Sequence, residues 1–291
     1  MQLVFHAGPL NEFMLLMPLL RAMGQPMTVV APWQRASLAS RMLGASPMDI
    51  ELFEFTRLHA PGGPTRVSPA VKDLFAQSTR IVSFLSSDQD AWAQNVRALA
   101  TSATMILNDP RPPATFTGHF ADWHRTQLAN RGLSLEPLQP TPLQNSSGPI
   151  VVHPGSSAIK RCWPADRFEE VIRSLKKLGM PITPVIGEVE LERWAPDRIS
   201  HWTEDLGAVV VRTSDALLPL LQQARLFIGN DAGPAHIAAQ AGTRSITILG
   251  PTDPARLGQR ASHVRFVRPP HGPDRIEEVS IEAVLDAVGL G

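Results

Sequence analysis

Residues 226–256 read LFIGNDAGPAHIAAQAGTRSITILGPTDPAR, and the order of residue types in this stretch decides the fold. An apolar run of strand type is followed by a Gly-Asn-Asp turn, a short helix opened by Gly233-Pro234, a second strand and a Gly-Pro-Thr-Asp-Pro loop. That is a βαβ unit whose two strand ends carry loops of small polar residues, and open α/β sheets hold ligands in such crevices. The stretch is expected to form the floor of a ligand site.

The same alternation extends on both sides. Towards the N-terminus of this half, strands are expected at 150–153, 182–186 and 208–211, separated by helices at 165–178, 188–200 and 214–224. Beyond the stretch come a short strand at 264–267 and a closing amphipathic helix at 277–288, for which packing back onto the first domain is left open. The first half repeats the pattern. Strands are expected at 2–5, 27–31, 50–55, 80–84 and 104–107, with helices at 12–23, 34–43, 69–76, 90–100 and 116–131. Repeated strand-then-helix order argues for parallel sheets covered by helices. Residues 132–148 break the rhythm with a proline-rich, patternless run that reads as a linker. The expected architecture is α/β, with a Rossmann-like domain at 1–145, a second at 146–291, and a cleft between them.

Composition narrows the function. The chain has 291 residues and 43% hydrophobic content, enough for a full core in each half. Lys plus Arg total 27, as do Asp plus Glu, so no global field draws the protein towards nucleic acid or an anionic membrane. The single cysteine, Cys162, excludes an intrachain disulfide and fits a reducing compartment. The N-terminus MQLVFHAG lacks the basic region and long apolar run of a secretion signal, which makes the cytoplasm the expected location. The first turn, HAGPLNE, lacks the spaced glycines of a dinucleotide fingerprint, and no Walker loop occurs. Neither histidine spacing nor the lone cysteine suits a metal site, so no metal or cofactor is expected.

Four polar loops after strands of the second half remain. In HPGSSAIKRCWP, residues 153–164, backbone N–H groups, serine hydroxyls and Lys160 are placed to neutralise a diphosphate. Cys162 lies beside the cations of that loop, which favours a lowered pKa, but without an assigned base it receives no role. In GEVELE, residues 187–192, a carboxylate at the strand end suits ribose hydroxyls, while acids also favour a helix first turn for dipole reasons. In GNDAGPAH, residues 229–236, Asp231 reads as a natural N-cap and Pro234 as a first-turn residue. His236, on an otherwise small and apolar helix, points into the core or towards whatever the helix start binds. GPTDP, residues 250–254, adds one hydroxyl and one carboxylate.

Taken together and in this order, HPGSSAIKRCWPADRF, FIGNDAGPAHIAAQAG and GPTDP resemble the signatures of the lipopolysaccharide heptosyltransferase family, glycosyltransferase family 9. GPLNEFMLLMP is similar, more weakly, to the family's Gly-Asp-x-Leu…Pro start. The resemblance implies a GT-B fold and inverting transfer of heptose from ADP-heptose to a lipid A–Kdo or inner-core acceptor. It implies that Lys160 contacts the donor phosphates, with Ser156, Ser157 and Thr252 as further partners. Glu190 matches the ribose-binding acid, with Glu188 and Glu192 as register alternatives, while Asp231 and the turn from Gly233 to His236 face donor sugar and diphosphate. The catalytic base matches Glu12, a glutamate preceded by Asn11 where the family has Gly-Asp.

Arg35, Arg57 and Arg66 lie in or near loops of the first half, where an acceptor phosphate or carboxylate would be met. A glycolipid acceptor implies peripheral contact with the cytoplasmic face of the inner membrane. The departure at Asn11-Glu12 keeps a second reading open, a non-catalytic nucleotide-sugar-binding homologue, and a third, a transferase for another activated sugar.

Overall fold

The computed structural model describes residues 1–85, 90–135 and 138–289. The chain divides into two compact units, Met1–Gln139 and Pro140–Gly291. The division falls a few residues before the 145/146 boundary read from composition, and residues 136 and 137 of the expected linker lie outside the described residues.

In the first unit the order is β1 (Gln2–Phe5), α1 (Leu10–Met23), β2 (Met27–Ala31), α2 (Trp33–Leu43), β3 (Ser46–Asp49) and α3 (Phe53–Arg57). Then come α4 (Pro69–Ala76), β4 (Arg80–Ser83), α5 (Ala91–Leu99), β5 (Thr104–Leu107) and α6 (Phe120–Asn130). The sheet order is β3-β2-β1-β4-β5, and every pairing is parallel. The strand expected at 50–55 is displaced: β3 ends at Asp49, and residues 53–57 are helical. Pro47 hid this strand from the sequence pattern. At the sheet edge its missing N–H leaves no ladder bond unmade.

The second unit runs β6 (Ile150–His153), α7 (Ala165–Lys177), β7 (Ile182–Ile186), α8 (Glu188–Arg193), α9 (Pro196–Ser200) and β8 (Val209–Val210). It continues through α10 (Ser214–Gln223), β9 (Leu226–Asn230), α11 (Gly233–Ala241), β10 (Ser245–Ile248), α12 (Pro254–Leu257), β11 (Val264–Val267) and α13 (Ile281–Val288). Its sheet order is β11-β10-β9-β6-β7-β8, again all parallel. The single helix expected at 188–200 is broken between α8 and α9, since Pro196 lacks the N–H that would continue it, and α9 leads into a π-helical turn at His201–Asp205. The closing helix α13 packs on α7, β10 and β11 of its own unit.

Both topologies place a switch point, the site at which consecutive strands diverge to opposite sides and leave a crevice. In the first unit it lies between β1 and β4, in the second between β6 and β9. Rigid cores hold these strand ends. Phe5, the last residue of β1, has its ring centroid 6.0 Å from Phe55, 6.0 Å from Phe75 and 5.1 Å from Trp92. Burying a ring of this size contributes about 1.5–3 kcal/mol, so the residue that follows it starts from a fixed point. In the second unit Ile150, Val152 and Ile228 are buried against Phe168, Ile172 and Leu175 of α7.

Candidate functional site

The second unit gathers its polar groups around the β6/β9 switch point. Asn230, the last residue of β9 and 1% exposed, donates from Nδ2 to the Pro154 carbonyl at 2.5 Å and accepts the Trp163 N–H at 2.9 Å. One side chain thereby ties both ends of the loop that follows β6. Arg193 of α8 grips the middle of the same loop, donating to the carbonyls of Ser156 at 3.1 Å and Ser157 at 2.6 Å. Sequence reasoning missed both residues as loop anchors. A polar Asn closing an otherwise apolar strand was the available signal for the first.

Asp231 follows directly and is also buried. It accepts a hydrogen bond from the Thr252 hydroxyl at 2.6 Å, lies 3.3 Å from His236 Nε2 and 3.6 Å from Arg161 Nη1. Burial alone would push its carboxyl up, but His236, Thr252 and Arg161 together hold it below the ordinary aspartate value. Asp231 is therefore not the cap of α11: the N-cap is Ala232, which offers no side-chain bond, and Pro234 sits in the first turn as expected. The carboxylate is drawn away from the helix by three stronger partners.

The cation that reaches this carboxylate is Arg161. Lys160, its neighbour in the turn Ile159–Arg161, is exposed. In the quoted run KRCWP, residues 160–164, Arg161 is the cation two positions before Trp163. Ser156 is buried and its hydroxyl accepts the Ala158 N–H at 3.4 Å, whereas Ser157 is exposed. Cys162 departs from expectation. Burial pushes its thiol up, and Glu190 adds to that effect against Arg193 and Arg161.

Glu190 is turned inwards. Its Oε2 accepts the Gly187 N–H at 2.7 Å, holding the start of α8, and lies 3.7 Å from His153 Nε2. A side chain at Gly155 would place its Cβ 1.6 Å from Glu190 Oε1, so the carboxylate occupies the space that this glycine leaves bare. His153 is buried, its Nδ1 accepts the Gly155 N–H at 3.2 Å, and burial lowers its pKa against the pull of Glu190. Glu188 and Glu192 are exposed.

In the first unit, the loop after β1 carries Glu12 into the first turn of α1. Its side chain is 15% exposed and Oε1 lies 3.7 Å from Nε of Arg111, a residue that is itself 71% exposed. Burial raises the Glu12 pKa, and Arg111 opposes that rise. Arg35 and Arg57 are partly buried and Arg66 is exposed; Arg57 lies over the Phe53 ring at 4.0 Å.

The model of glycosyltransferase family 9 (heptosyltransferase) matches residues 114–282, more than half of the chain. The chain belongs to glycosyltransferase family 9. In an alignment of 162 positions that covers 46% of this chain, it is 28% identical to lipopolysaccharide heptosyltransferase 3 of Escherichia coli K12, covering 47% of that protein. A second E. coli protein of the same name is 32% identical over 36% of the chain and 32% of its own length. The matched stretches thus span half or less of the curated relatives. Among solved structures, E. coli heptosyltransferase WaaC with ADP superposes with a TM-score of 0.71 at 18% identity, covering 99% of this chain and 98% of that one. A family 9 glycosyl transferase from Veillonella parvula gives 0.72 at 15% identity, covering 99% and 95%. The fold is that of these GT-B proteins: two parallel sheets, each flanked by helices. Among the described residues no helix is long and apolar enough to cross a membrane.

Proposed function

We propose that this protein is an inverting glycosyltransferase that moves heptose from ADP-heptose to a lipopolysaccharide inner-core acceptor. The observation that carries the reading is the convergence of Asp231, His236, Thr252 and Arg161 at the start of α11, beside the β6/β9 switch point. A helix start, a hydroxyl and a guanidinium together suit a diphosphate, whose negative charge rises as it departs. Family membership, the names of the curated relatives and the ADP held by a solved heptosyltransferase support the same donor.

In this reading the second unit binds donor and the first binds acceptor. Arg161 takes the inner position on the diphosphate, with Lys160 at the loop surface and Ser156, Ser157, Gly233 and Thr252 as further partners. Glu190 offers Oε1 to the ribose, its Oε2 being engaged by Gly187. Glu12 is the base. The acceptor O–H bond breaks and its proton passes to Glu12. The oxygen forms the new bond to the anomeric carbon from the face opposite the leaving group, and the old C–O bond breaks with its electron pair leaving on ADP. No cofactor or metal is assigned, and a lipid acceptor brings the protein to the cytoplasmic face of the inner membrane.

Calorimetric titration with ADP, followed by transfer from ADP-heptose to deep-rough lipopolysaccharide, tests the reading. Glu12→Gln is expected to bind ADP as the wild type does while turnover falls about a hundredfold or more, the usual contribution of a general base. Near-wild-type turnover in Glu12→Gln would remove Glu12 from the mechanism. ADP binding without transfer to any inner-core acceptor would favour the non-catalytic binding homologue, and no ADP binding would end both readings.

A further inference from the structure

A buried histidine shares the Glu12 loop and has no part in the chemistry above. His6 follows β1, extends that strand by donating its N–H to the Val30 carbonyl at 3.0 Å, and is 3% exposed. Its ring centroid lies 5.1 Å from Phe13 and 6.4 Å from Phe84, so aromatic walls fix its plane. A side chain at Gly8 would meet Glu12 Oε2 at 2.9 Å and His6 Nε2 at 3.0 Å. The carboxylate and the imidazole therefore close on the same bare backbone and lie no more than about 6 Å apart, a gap that one hydroxyl bonded to both groups spans.

The other ring nitrogen settles which one carries the proton. His6 Nδ1 is buried with no hydrogen-bond partner among the described residues. Leaving an N–H donor unmet in such a place costs about 1–3 kcal/mol, which favours the tautomer with the proton on Nε2, facing the gap. The ring also stays neutral: burial, then the charges of Arg35 on α2 and His124 on α6, bring its pKa down to about 3. The acid that closes on the gap at Gly8 is Glu12, whose other oxygen lies 3.7 Å from Arg111 Nε. A neutral imidazole with its proton on Nε2 presents a donor to the gap.

We propose that His6 is a second ligand of the acceptor hydroxyl, holding its oxygen through Nε2–H while Glu12 Oε2 takes its proton. The inference rests on the transferase reading above. A hydroxyl offers one proton and two lone pairs. With the proton on Glu12 and one lone pair on His6, the remaining pair has a single direction, and aiming it at the anomeric carbon is a matter of orientation rather than charge. Gly8 is the residue that leaves room for this arrangement.

The test uses the full chain with ADP, ADP-heptose and deep-rough lipopolysaccharide, and ring 15N spectra of the histidines, with His6 assigned by its loss in His6→Gln. His6→Phe is expected to keep ADP affinity within about twofold and to lower kcat on the order of thirtyfold, within the range that misorientation produces. His6→Gln, which restores an N–H donor, is expected to recover most of that loss. His6→Asn, whose donor is drawn back, repeats the loss if the phenyl ring is not accommodated. The spectrum is expected to show a neutral ring protonated on Nε2 from pH 6 to pH 8. Transfer with an unaffected His6→Phe or His6→Asn variant, or a proton on Nδ1, would overturn the role of His6 alone. Wild-type protein that binds ADP but transfers nothing would instead remove the transferase reading and this inference with it.

Discussion

Each unit begins its site with the same three positions at the end of the first strand, a histidine, one residue and a glycine: His6 to Gly8 just after β1, and His153 to Gly155 starting at the last residue of β6. In both, a glutamate from a helix first turn lies over the glycine, Glu12 in one and Glu190 in the other. The polar atoms are treated differently. His153 accepts a backbone N–H and Glu190 accepts another, so the second unit's carboxylate and imidazole are joined to the protein itself. Among the described residues His6 Nδ1 has no partner, and Glu12 pairs with an exposed arginine at 3.7 Å. The lesson is that one geometry is braced differently: backbone bonds hold His153 Nδ1 and Glu190 Oε2 in the second unit, whereas in the first His6 Nδ1 goes without one among the described residues.

Adding a methyl group to each glycine separates the two copies. Neither glycine has a positive φ, so alanine is compatible with the backbone and the effect falls on the neighbours. Gly8→Ala meets the free ends of His6 and Glu12, and displacing the base by about 1 Å is expected to lower turnover about a hundredfold with little change in the urea midpoint. Gly155→Ala meets a carboxylate already pinned by Gly187, at a separation no small shift relieves, and is expected to destabilise the fold by about 2 kcal/mol in urea denaturation. If Gly8→Ala unfolded the protein while Gly155→Ala altered only activity, the two copies would have exchanged roles.

A smaller effect sharpens the first copy. Glu12 acts as a base only when ionised, so turnover is lost as pH falls through its pKa, which burial raises and Arg111 pulls back. Arg111→Ala is expected to move the acid limb of the kcat profile to higher pH, by less than about one pH unit, because an exposed cation is screened by solvent and salt. A limb that stayed in place would show that Arg111 exerts no control over Glu12.

The alternation of strand and helix was legible throughout, since period and punctuation are local properties. The strand at 46–49 was not, because Pro47 contradicts strand propensity except at an edge, and edges are defined by topology. The π-helical turn at His201–Asp205 left no periodic trace either. Among the candidate site residues, sequence gathered Asp231, Thr252 and His236 into neighbouring loops, and the structure joins all three. It could not say which of two adjacent cations faces inwards, and the structure brings Arg161 to Asp231 and leaves Lys160 exposed. His6 was invisible as a functional candidate, since its partner is reached only through the fold of the loop.

Asn230 carries a consequence for timing. With one amide holding Pro154 at one mouth of the loop and Trp163 at the other, neither end can swing alone without straining the bond at its opposite number. Loops left to themselves move in nanoseconds to microseconds, whereas this loop must first break its bonds to the Asn230 amide. In the transferase reading, a donor held at residues 154–163 is expected to exchange more slowly than one held by an untethered loop.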